Sequence, residues 1–331
     1  MANTTYGDIS QRTAAYAASE MLSHAEPVLI LQKFGLTKPM PKNKADNVKF
    51  RRPIPFNELT APLVEGVTPS AQQMSYEDVN ATLNQYGKPI IITDAVEDLA
   101  EDPVLKDASM LAGEQAALTT EMITYGVIKA GTSVFYANAS SRAAVNTAIS
   151  LNKQRAVTRS LKAQKAQKIT KILDGSQNYN TTPIEAAYVA VAHTDVESDI
   201  RGMAGFTPVA EYGSRKPICA EEIGSVEDVR YVLSPELDPF QAAGSGTVNG
   251  MVADDATNVD VYPVLFFGRE AFGVVPLKGG TSMTPMVINP GSPSKSDPLG
   301  QRGYVSWKCW HTAVILNQNW MARLEVGVTA L

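Results

Sequence analysis

The stretch PVLKDASMLAGEQAALTTEMITYGVIKA, residues 103–130, predicts the longest element of the fold, a single α-helix. Seven of its residues recur at alternating intervals of four and three, which places them on one face of a helix. These residues are Val104, Ala108, Leu111, Gln115, Leu118, Met122 and Tyr125. Asp102 and Pro103 are suited to cap and to begin the helix. At about 1.5 Å per residue it would be about 40 Å long, so we expect a sheet to pack along it.

The segment before residue 48 has few residues from which a core could be built. Residues 10–24 predict a weakly amphipathic helix, and residues 28–34 predict a second short helix that Gly35 ends. Residues 37–47 are rich in proline and lysine and are predicted to be extended. Because such a segment buries little surface within its own chain, we expect it to lie over a neighbouring subunit.

Residues 48–94 predict a projecting hairpin. Val48 and Phe50 alternate with charged residues, which is typical of a strand, and the return strand is predicted over residues 78–94. The long polar stretch between them, residues 57–77, would form the tip. A two-stranded hairpin is only marginally stable in water, so this one needs another surface to lie on.

A second helix is predicted at about residues 152–168, and it is strongly basic. Its cations, with one that follows it, are Lys153, Arg155, Arg159, Lys162, Lys165, Lys168 and Lys171. The face could simply be solvated, could bind an acidic groove on a neighbouring subunit, or could contact phosphates of packaged DNA. By sign, the acidic run at residues 94–107 is the obvious protein partner, either within one subunit or between subunits.

The remaining chain predicts short strands and loops. A buried strand at residues 186–192 is followed by His193 and a short helix at residues 195–201. Between residues 202 and 300, strands are predicted at 218–219, 229–233, 259–267 and 272–276, with a flexible loop at 242–256. Residues 304–316 and 321–328 predict a closing hairpin, joined at 317–319. The fold class is therefore α+β, and we find no internal repeat.

No constellation in the sequence points to catalysis, a cofactor or a metal. His24, His193 and His311 share no ligand spacing, so a local hydrogen bond is the expected role of His193, beside Asp195. The acidic pair Asp254–Asp255 is expected to be solvated. The glycine-containing stretches at residues 244–250 and 278–282 lack the spacing of a phosphate-binding loop.

Composition excludes several further classes. The net charge of −5 argues against a dedicated nucleic-acid binder. Cys219 and Cys309 form no metal-binding motif, and we expect both to be reduced and buried. No signal peptide and no apolar run of membrane-spanning length is present, so we expect no membrane partner.

Three stretches near the C-terminus resemble a known family. They are DPLGQRGYVSWK at residues 297–308, AVILN at 313–317 and WMARLE at 320–325. Together with YVAVAHTDV at residues 188–196 and the entry into the long helix at 89–98, they look like major capsid proteins of tailed bacteriophages related to coliphage N4. The resemblance follows the whole chain in order, and the C-terminal stretches are its most specific part.

The resemblance implies the Hong Kong 97 capsid fold, with the following divisions. Residues 1–47 would be the N-terminal arm and residues 48–94 the extended E-loop hairpin. Residues 95–201 would form the peripheral P-domain, with the spine helix at 103–130, and the start of the axial A-domain. Residues 202–299 would complete the A-domain, and residues 300–331 would be a closing β-hairpin that returns to the P-domain.

The resemblance also implies a function in assembly. The chain would form hexamers and pentamers of an icosahedral virion shell around double-stranded DNA, which it would contact non-specifically. Its partners would be copies of itself, a portal, a decoration protein in some phages and a separate scaffolding protein, with assembly in the bacterial cytoplasm. Because the chain starts at Met1 without the scaffolding extension of some relatives, we expect no N-terminal cleavage. The alternative is a cargo-enclosing compartment of the same fold, similar to encapsulins.

Overall fold

In a computed structural model, the structure describes residues 29–41, 43, 46–60, 62–63, 65–66, 68–99, 104–173, 181–213, 215–246, 250–255, 257–277, 283–291, 293 and 297–331. The helix predicted at residues 10–24 and the capping pair Asp102 and Pro103 lie outside the described residues. So does the glycine-containing stretch at residues 278–282. No described helix is long and apolar enough to cross a membrane.

The described helices and strands alternate irregularly along the chain. The helices are α1 (Asp94–Leu99), α2 (Val104–Lys129), α3 (Leu151–Ala163) and α4 (Glu197–Arg201). The strands are β1 (Leu36–Thr37), β2 (Asn47–Pro53), β3 (Tyr76–Thr82), β4 (Asn84–Thr93), β5 (Val134–Tyr136), β6 (Ile169–Leu173), β7 (Thr181–His193), β8 (Phe206–Pro208), β9 (Glu222–Val226), β10 (Val229–Ser234), β11 (Tyr262–Phe267), β12 (Phe272–Pro276), β13 (Met283–Ile288), β14 (Arg302–Ile315) and β15 (Met321–Val326).

An eight-stranded sheet forms the larger part of the core. Its strands follow the order β5-β15-β11-β7-β10-β9-β8, and β6 pairs with β7. Strands β10, β11 and β15 are buried at every position because both faces of the sheet are covered. On one face, Val157 and Leu161 of α3 pack against aromatic residues such as Tyr231 and Phe266. Strands buried on both faces have continuous apolar runs rather than alternation.

A five-stranded sheet packs against α2. Strand β14 lies in its middle, with β4 along one edge and with β12 and β13 along the other. The helix contacts this sheet through small side chains, among them Ala108, Ala112 and Ala116. The apolar stripe predicted for this helix is therefore wrong in part, since Leu111 is 60% exposed and Leu118 is 38% exposed. Alanines allow the helix to lie closer to the sheet than leucines would.

The two C-terminal strands are confirmed, but they do not pair with each other. Strand β14 belongs to the five-stranded sheet, and β15 pairs with β11 and β5 in the eight-stranded sheet. Both edges of β14 are already occupied, so β15 has no edge of β14 to join. The closing hairpin predicted for residues 300–331 is therefore wrong, and this segment instead connects the two sheets.

The described part of the N-terminal segment packs on its own chain. Ile30, Leu31, Phe34 and Met40 are buried, and β1 pairs in parallel with β12. The expectation that this segment lies over a neighbour is wrong for residues 29–41. A 3-10 turn, Leu31–Lys33, replaces the short helix. Gly35 follows it where a Cβ atom would come within 2.7 Å of the Phe272 ring.

Other boundaries differ locally. Helix α3 ends at Ala163 instead of continuing to residue 168, and Lys165 adopts a positive φ of 56°. The strand predicted at residues 218–219 is wrong, because the nearest strand is β9. Strands β10 and β12 are confirmed, β12 with the predicted bounds.

Candidate functional site

The projecting hairpin is the most exposed part of the described chain. Strands β2 and β3 pair antiparallel, from Asn47 opposite Thr82 to Pro53 opposite Tyr76. At its base, Val48 and Phe50 are buried in a cluster with Val275 of β12. The strand predicted from the alternation of Val48 and Phe50 with charged residues is thus confirmed, since one face of β2 lies on the body of the protein.

The tip of the hairpin and the strand ends beside it expose large apolar side chains, so the expectation of a polar tip is wrong in part. The residues concerned, between 47% and 82% exposed, are Ile54, Phe56, Leu59, Leu63, Met74 and Tyr76. Soluble monomers seldom expose so many large apolar side chains within one short segment. The tip therefore has the composition of an interaction surface and not of a solvated loop.

Charged residues at opposite positions join the two strands of the hairpin. Arg51 donates two hydrogen bonds to Asp78, from Nε to Oδ1 at 2.8 Å and from Nη2 to Oδ2 at 3.1 Å. Arg52 forms the next pair with Glu77. The hydrogen bond from Arg51 lowers the pKa of Asp78 to about 2, so Asp78 is ionised at neutral pH.

A second exposed apolar area lies on the five-stranded sheet, on the face away from α2. Ile288, Tyr304 and Ile91 occupy one row across β13, β14 and β4. Two residues further along β14, Met286 and Pro89 flank Ser306. Ile91 and Ile288 are each more than half exposed. Side chains alternate between the faces of a sheet, so these rows share one surface.

Three of the predicted basic residues bind acids within the same chain. Arg155 donates to Glu227 at 2.8 Å from Nε, and Lys168 lies 2.9 Å from Asp228. Lys162 also pairs with Asp228. The acidic partner of these three residues is therefore the turn between β9 and β10, and within one chain the described residues show no pairing with residues 94–107.

The other basic residues are arranged less regularly than the sequence suggests. Lys153 and Arg159 lie on α3, whereas Lys165, Lys168 and Lys171 follow its end, so the basic surface is not one helix face. Within the described ranges, Lys153, Arg159 and Lys165 form no ion pair. The side chain of Lys171 lies outside the described residues.

The histidines occupy separate, local environments. His193 Nδ1 accepts a hydrogen bond from the backbone N–H of Asp195 at 3.1 Å, so its local role is confirmed. His311 is buried beside Thr124, with 3.0 Å between its Nε2 and Thr124 Oγ1, and burial lowers its pKa to about 4. In the part of the chain that the structure describes, no three His, Cys, Asp or Glu side chains are grouped as metal ligands.

The loop acids and the cysteines also have ordinary surroundings. Asp255 accepts hydrogen bonds from the backbone N–H groups of Thr257 and Asn258, which close its own loop. Cys309 is buried and Cys219 is half-buried. Burial raises the pKa of the Cys309 thiol to about 11, which leaves it protonated at neutral pH.

Several buried carboxyl groups were not identified from the sequence, among them those of Glu325 and Glu121. Glu325 is fully buried and binds Arg142 through two hydrogen bonds of 2.8 Å and Arg323 through a third of 2.8 Å. Glu121 is fully buried on α2, four residues after the small residue Ala117. Its position on the face of small residues is the only signal that could have revealed it.

Comparison with known families gives a match over most of the chain. The family described as phage capsid protein matches residues 76–325. A curated relative, the major capsid protein of Pseudomonas phage KPP21, is 22% identical over 174 residues. That match covers 49% of this chain and 44% of the relative, so it spans less than half of the relative's length.

Several solved phage capsids share the fold. The capsid of Ralstonia phage GP4 is similar with a TM-score of 0.67 and 13% identity, over 89% of this chain and 87% of that one. The cyanophage Pam1 capsid gives a TM-score of 0.59 at 13% identity, over 99% and 95%. The head of Helicobacter pylori bacteriophage KHP40 gives 0.57 at 12%, over 89% and 88%. The mixed α/β fold is thus that of phage capsid structures, while a specific relation to coliphage N4 stays a prediction.

Proposed function

Since this chain belongs to the phage capsid protein family, a family of structural proteins and not of enzymes, we propose that it is the major capsid protein of a tailed bacteriophage. Its copies would assemble as hexamers and pentamers into an icosahedral shell around the double-stranded DNA genome. The chain is then a component of the virion, assembled in the cytoplasm of the host.

The observation that carries this proposal is the exposed apolar tip of the hairpin. Leu59 and Leu63 are 82% and 75% exposed, and the paired strands below them carry exposed charged pairs. A surface of this kind is unfavourable on an isolated subunit and favourable when a second copy covers it. Many copies of one modest contact add up to a stable shell through multivalency.

The divisions of the fold follow as proposals. The E-loop would comprise residues 48–94, although β4 at its end is a full member of the five-stranded sheet. The P-domain would contain α2 as its spine helix, and residues 202–299 would lie largely in the A-domain. The arm would be confined to the residues before 29, because residues 29–41 belong to the core of their own subunit.

The remaining partners are proposed from function alone. Lys153, Arg159 and Lys165 would contact DNA phosphates or an acidic surface of a neighbouring subunit, without reading sequence. A separate scaffolding protein, a portal and a decoration protein in some phages would act on the same shell. The cargo-enclosing alternative is not favoured, because the family that matches is one of phage capsid proteins.

Removal of the hairpin tip tests the proposal. Replacing residues 57–75 by a short glycine–serine turn should leave a folded subunit, because the tip adds nothing to the described core. We expect soluble subunits or capsomers without stable shells in electron micrographs. The control is Thr60→Ala, which changes an exposed polar residue of the same tip and should assemble normally. Normal shells from the shortened chain would contradict the proposal.

A further inference from the structure

Glu121 joins the N-terminal segment to the middle of α2. Its carboxyl group is fully buried, and Oε1 accepts the backbone N–H of Ile30 at 3.1 Å and of Leu31 at 2.6 Å. These two N–H groups open the 3-10 turn Leu31–Lys33, where the backbone has no internal acceptor for them. One carboxyl oxygen therefore satisfies two buried donors of a segment 90 residues away in sequence.

The second oxygen of the same carboxyl group has no partner. Glu121 Oε2 is buried and, in the described part of the chain, accepts no hydrogen bond. An ionised carboxyl group that is buried with one oxygen unsatisfied is strongly disfavoured. A neutral carboxyl group in the same place is disfavoured much less, because it carries no charge that burial removes from water.

The charged groups on the N-terminal side compensate Glu121 only in part, because the charge of Lys33 favours the ionised carboxyl group but does not outweigh its burial. The Nζ atom of Lys33 pairs with Glu221 at 3.3 Å. Glu221 has a pKa below its usual range, set by its own hydrogen bonds and by Lys33 against the opposing effect of its burial. Cys219, in the same loop, is held neutral because burial raises the pKa of its thiol to about 12.

The groups on the other packed elements do not titrate near neutral pH either. His311 of β14 contacts Thr124, which lies one turn after Glu121 on α2. The pKa of His311 is about 4, so this side chain stays uncharged above pH 5. Tyr125 donates its hydroxyl to the carbonyl oxygen of Asp238 at 2.7 Å and is neutral because burial raises its pKa. Among the described groups around the segment, Glu121 is thus the one whose charge changes between pH 5 and 8.

We propose that Glu121 and residues 30–31 form a proton-controlled clasp, in which neutral Glu121 holds the N-terminal segment on α2 and ionised Glu121 releases it. Burial raises the pKa of Glu121 to about 7, from an ordinary value of 4.5, and outweighs the hydrogen bonds from Leu31 and Ile30, which lower it. The closed clasp therefore binds a proton more tightly than the open one. The equilibrium constant for closure is therefore largest below about pH 4.5. It falls by up to tenfold per pH unit as the pH rises from there to about 7.

The use of this clasp during shell formation rests on the proposed function, because it would set where the proposed arm leaves the subunit. The existence of the clasp does not rest on it. It is a property of the single chain and can be measured before any assembly takes place.

Hydrogen exchange of the unassembled full chain tests the proposal. We would measure protection of the amides in residues 29–34 by mass spectrometry from pH 5 to 8.5, corrected for intrinsic exchange. In the wild type, protection should fall steeply between pH 5 and 7 and change little above pH 7.5. In Glu121→Gln, which keeps an oxygen acceptor and cannot ionise, protection should be high and independent of pH.

Two controls separate the clasp from general effects. Glu222→Gln changes another buried carboxyl group, which accepts hydrogen bonds from Tyr212 and Ile218. It should leave the profile of residues 29–34 as in the wild type. Exchange in β10 should not follow the same profile. A wild-type profile that is flat with pH, or a Glu121→Gln profile with the wild-type slope, would overturn the clasp.

If Glu121→Gln does not fold, the wild-type series alone decides the question. A flat profile would leave the proposed capsid function intact, because shell formation is tested separately by removal of the hairpin tip. Conversely, normal shells from the shortened chain would leave the clasp intact.

Discussion

The eight-stranded sheet and the projecting hairpin contain similar apolar residues but bury them very differently. In β10, β11 and β15, every side chain is buried by other parts of the same chain. In the hairpin, only the base is covered, and the large apolar residues of the tip face solvent. The stability of the sheet is therefore internal, whereas the tip can gain stability only from a partner.

This difference indicates that the residues that stabilise the fold and those that would stabilise assembly lie in different parts of the chain. A residue such as Phe266 contributes to the free energy of unfolding of one subunit, since its apolar surface leaves water during folding. A residue such as Leu63 would contribute only when a second molecule covers it. One chain can thus separate the two processes by leaving one segment unpacked.

The largest expected effect comes from truncating a buried side chain of the eight-stranded sheet. Phe266 is fully buried and packs edge-on against Tyr231, with ring centroids 6.2 Å apart. We expect Phe266→Ala to lower the free energy of unfolding of the unassembled chain by about 3–5 kcal/mol, because it leaves a cavity. Urea unfolding followed by circular dichroism measures this.

Leu63→Ala is the matched variant on the other side of the comparison. It should change the free energy of unfolding by less than about 0.5 kcal/mol, because the side chain is exposed before and after the change. It should instead reduce the yield of shells. If Leu63→Ala destabilises the isolated chain as much as Phe266→Ala does, the tip is part of the core and the comparison fails.

An intermediate effect is expected at the junction between the two regions. Strand β4 leads from the hairpin into the five-stranded sheet, and Gly87 lies there opposite Lys308. A Cβ atom at Gly87 would come within 2.6 Å of the carbonyl oxygen of Trp307. We expect Gly87→Ala to separate β4 from β14 and to cost about 1–3 kcal/mol in urea unfolding.

Gly126→Ala is the control for this substitution. Gly126 lies on the exposed side of α2, where an added Cβ atom meets nothing within 4 Å. Alanine is the better helix former, so this change should stabilise the chain by up to about 1 kcal/mol. Equal effects of the two glycine substitutions would show that the junction tolerates displacement of β4.

The sequence predicted the local elements of both regions better than their neighbours in space. Alternation at Val48 and Phe50 predicted β2, and the spacing of residues 103–130 predicted α2 nearly to its ends. Both signals are local, because they depend on which face of one element is apolar. The assignment to the phage capsid family, in contrast, rests on the resemblance and on the family match, and not on these local patterns.

The errors concern pairings between distant segments. The partners of β14 are residues 84–93, 272–276 and 283–288, and no local pattern chooses them over the adjacent β15. The stripe on α2 was misassigned because leucine gives a stronger apolar signal than the alanines that pack closely on the sheet. The partner of the basic residues, the turn at Glu227 and Asp228, was also missed, because the charge of a residue does not show which residues lie near it in space.

The smallest expected effect lies within the hairpin itself, at the charged pair of Arg51 and Asp78. These residues are directly opposite each other, and both are exposed, so screening by solvent and salt keeps their contribution small. We expect Asp78→Asn to increase hydrogen exchange in β2 and β3 slightly at low ionic strength, and not at all in about 1 M salt. The midpoint of urea unfolding should not change, because the pair lies outside the core.

The pKa of Asp78, about 2, means that lowering the pH to 5 should leave the wild-type hairpin unaffected. A lower unfolding midpoint in Asp78→Asn would mean that the hairpin unfolds together with the eight-stranded sheet, and the two regions would then form one cooperative unit.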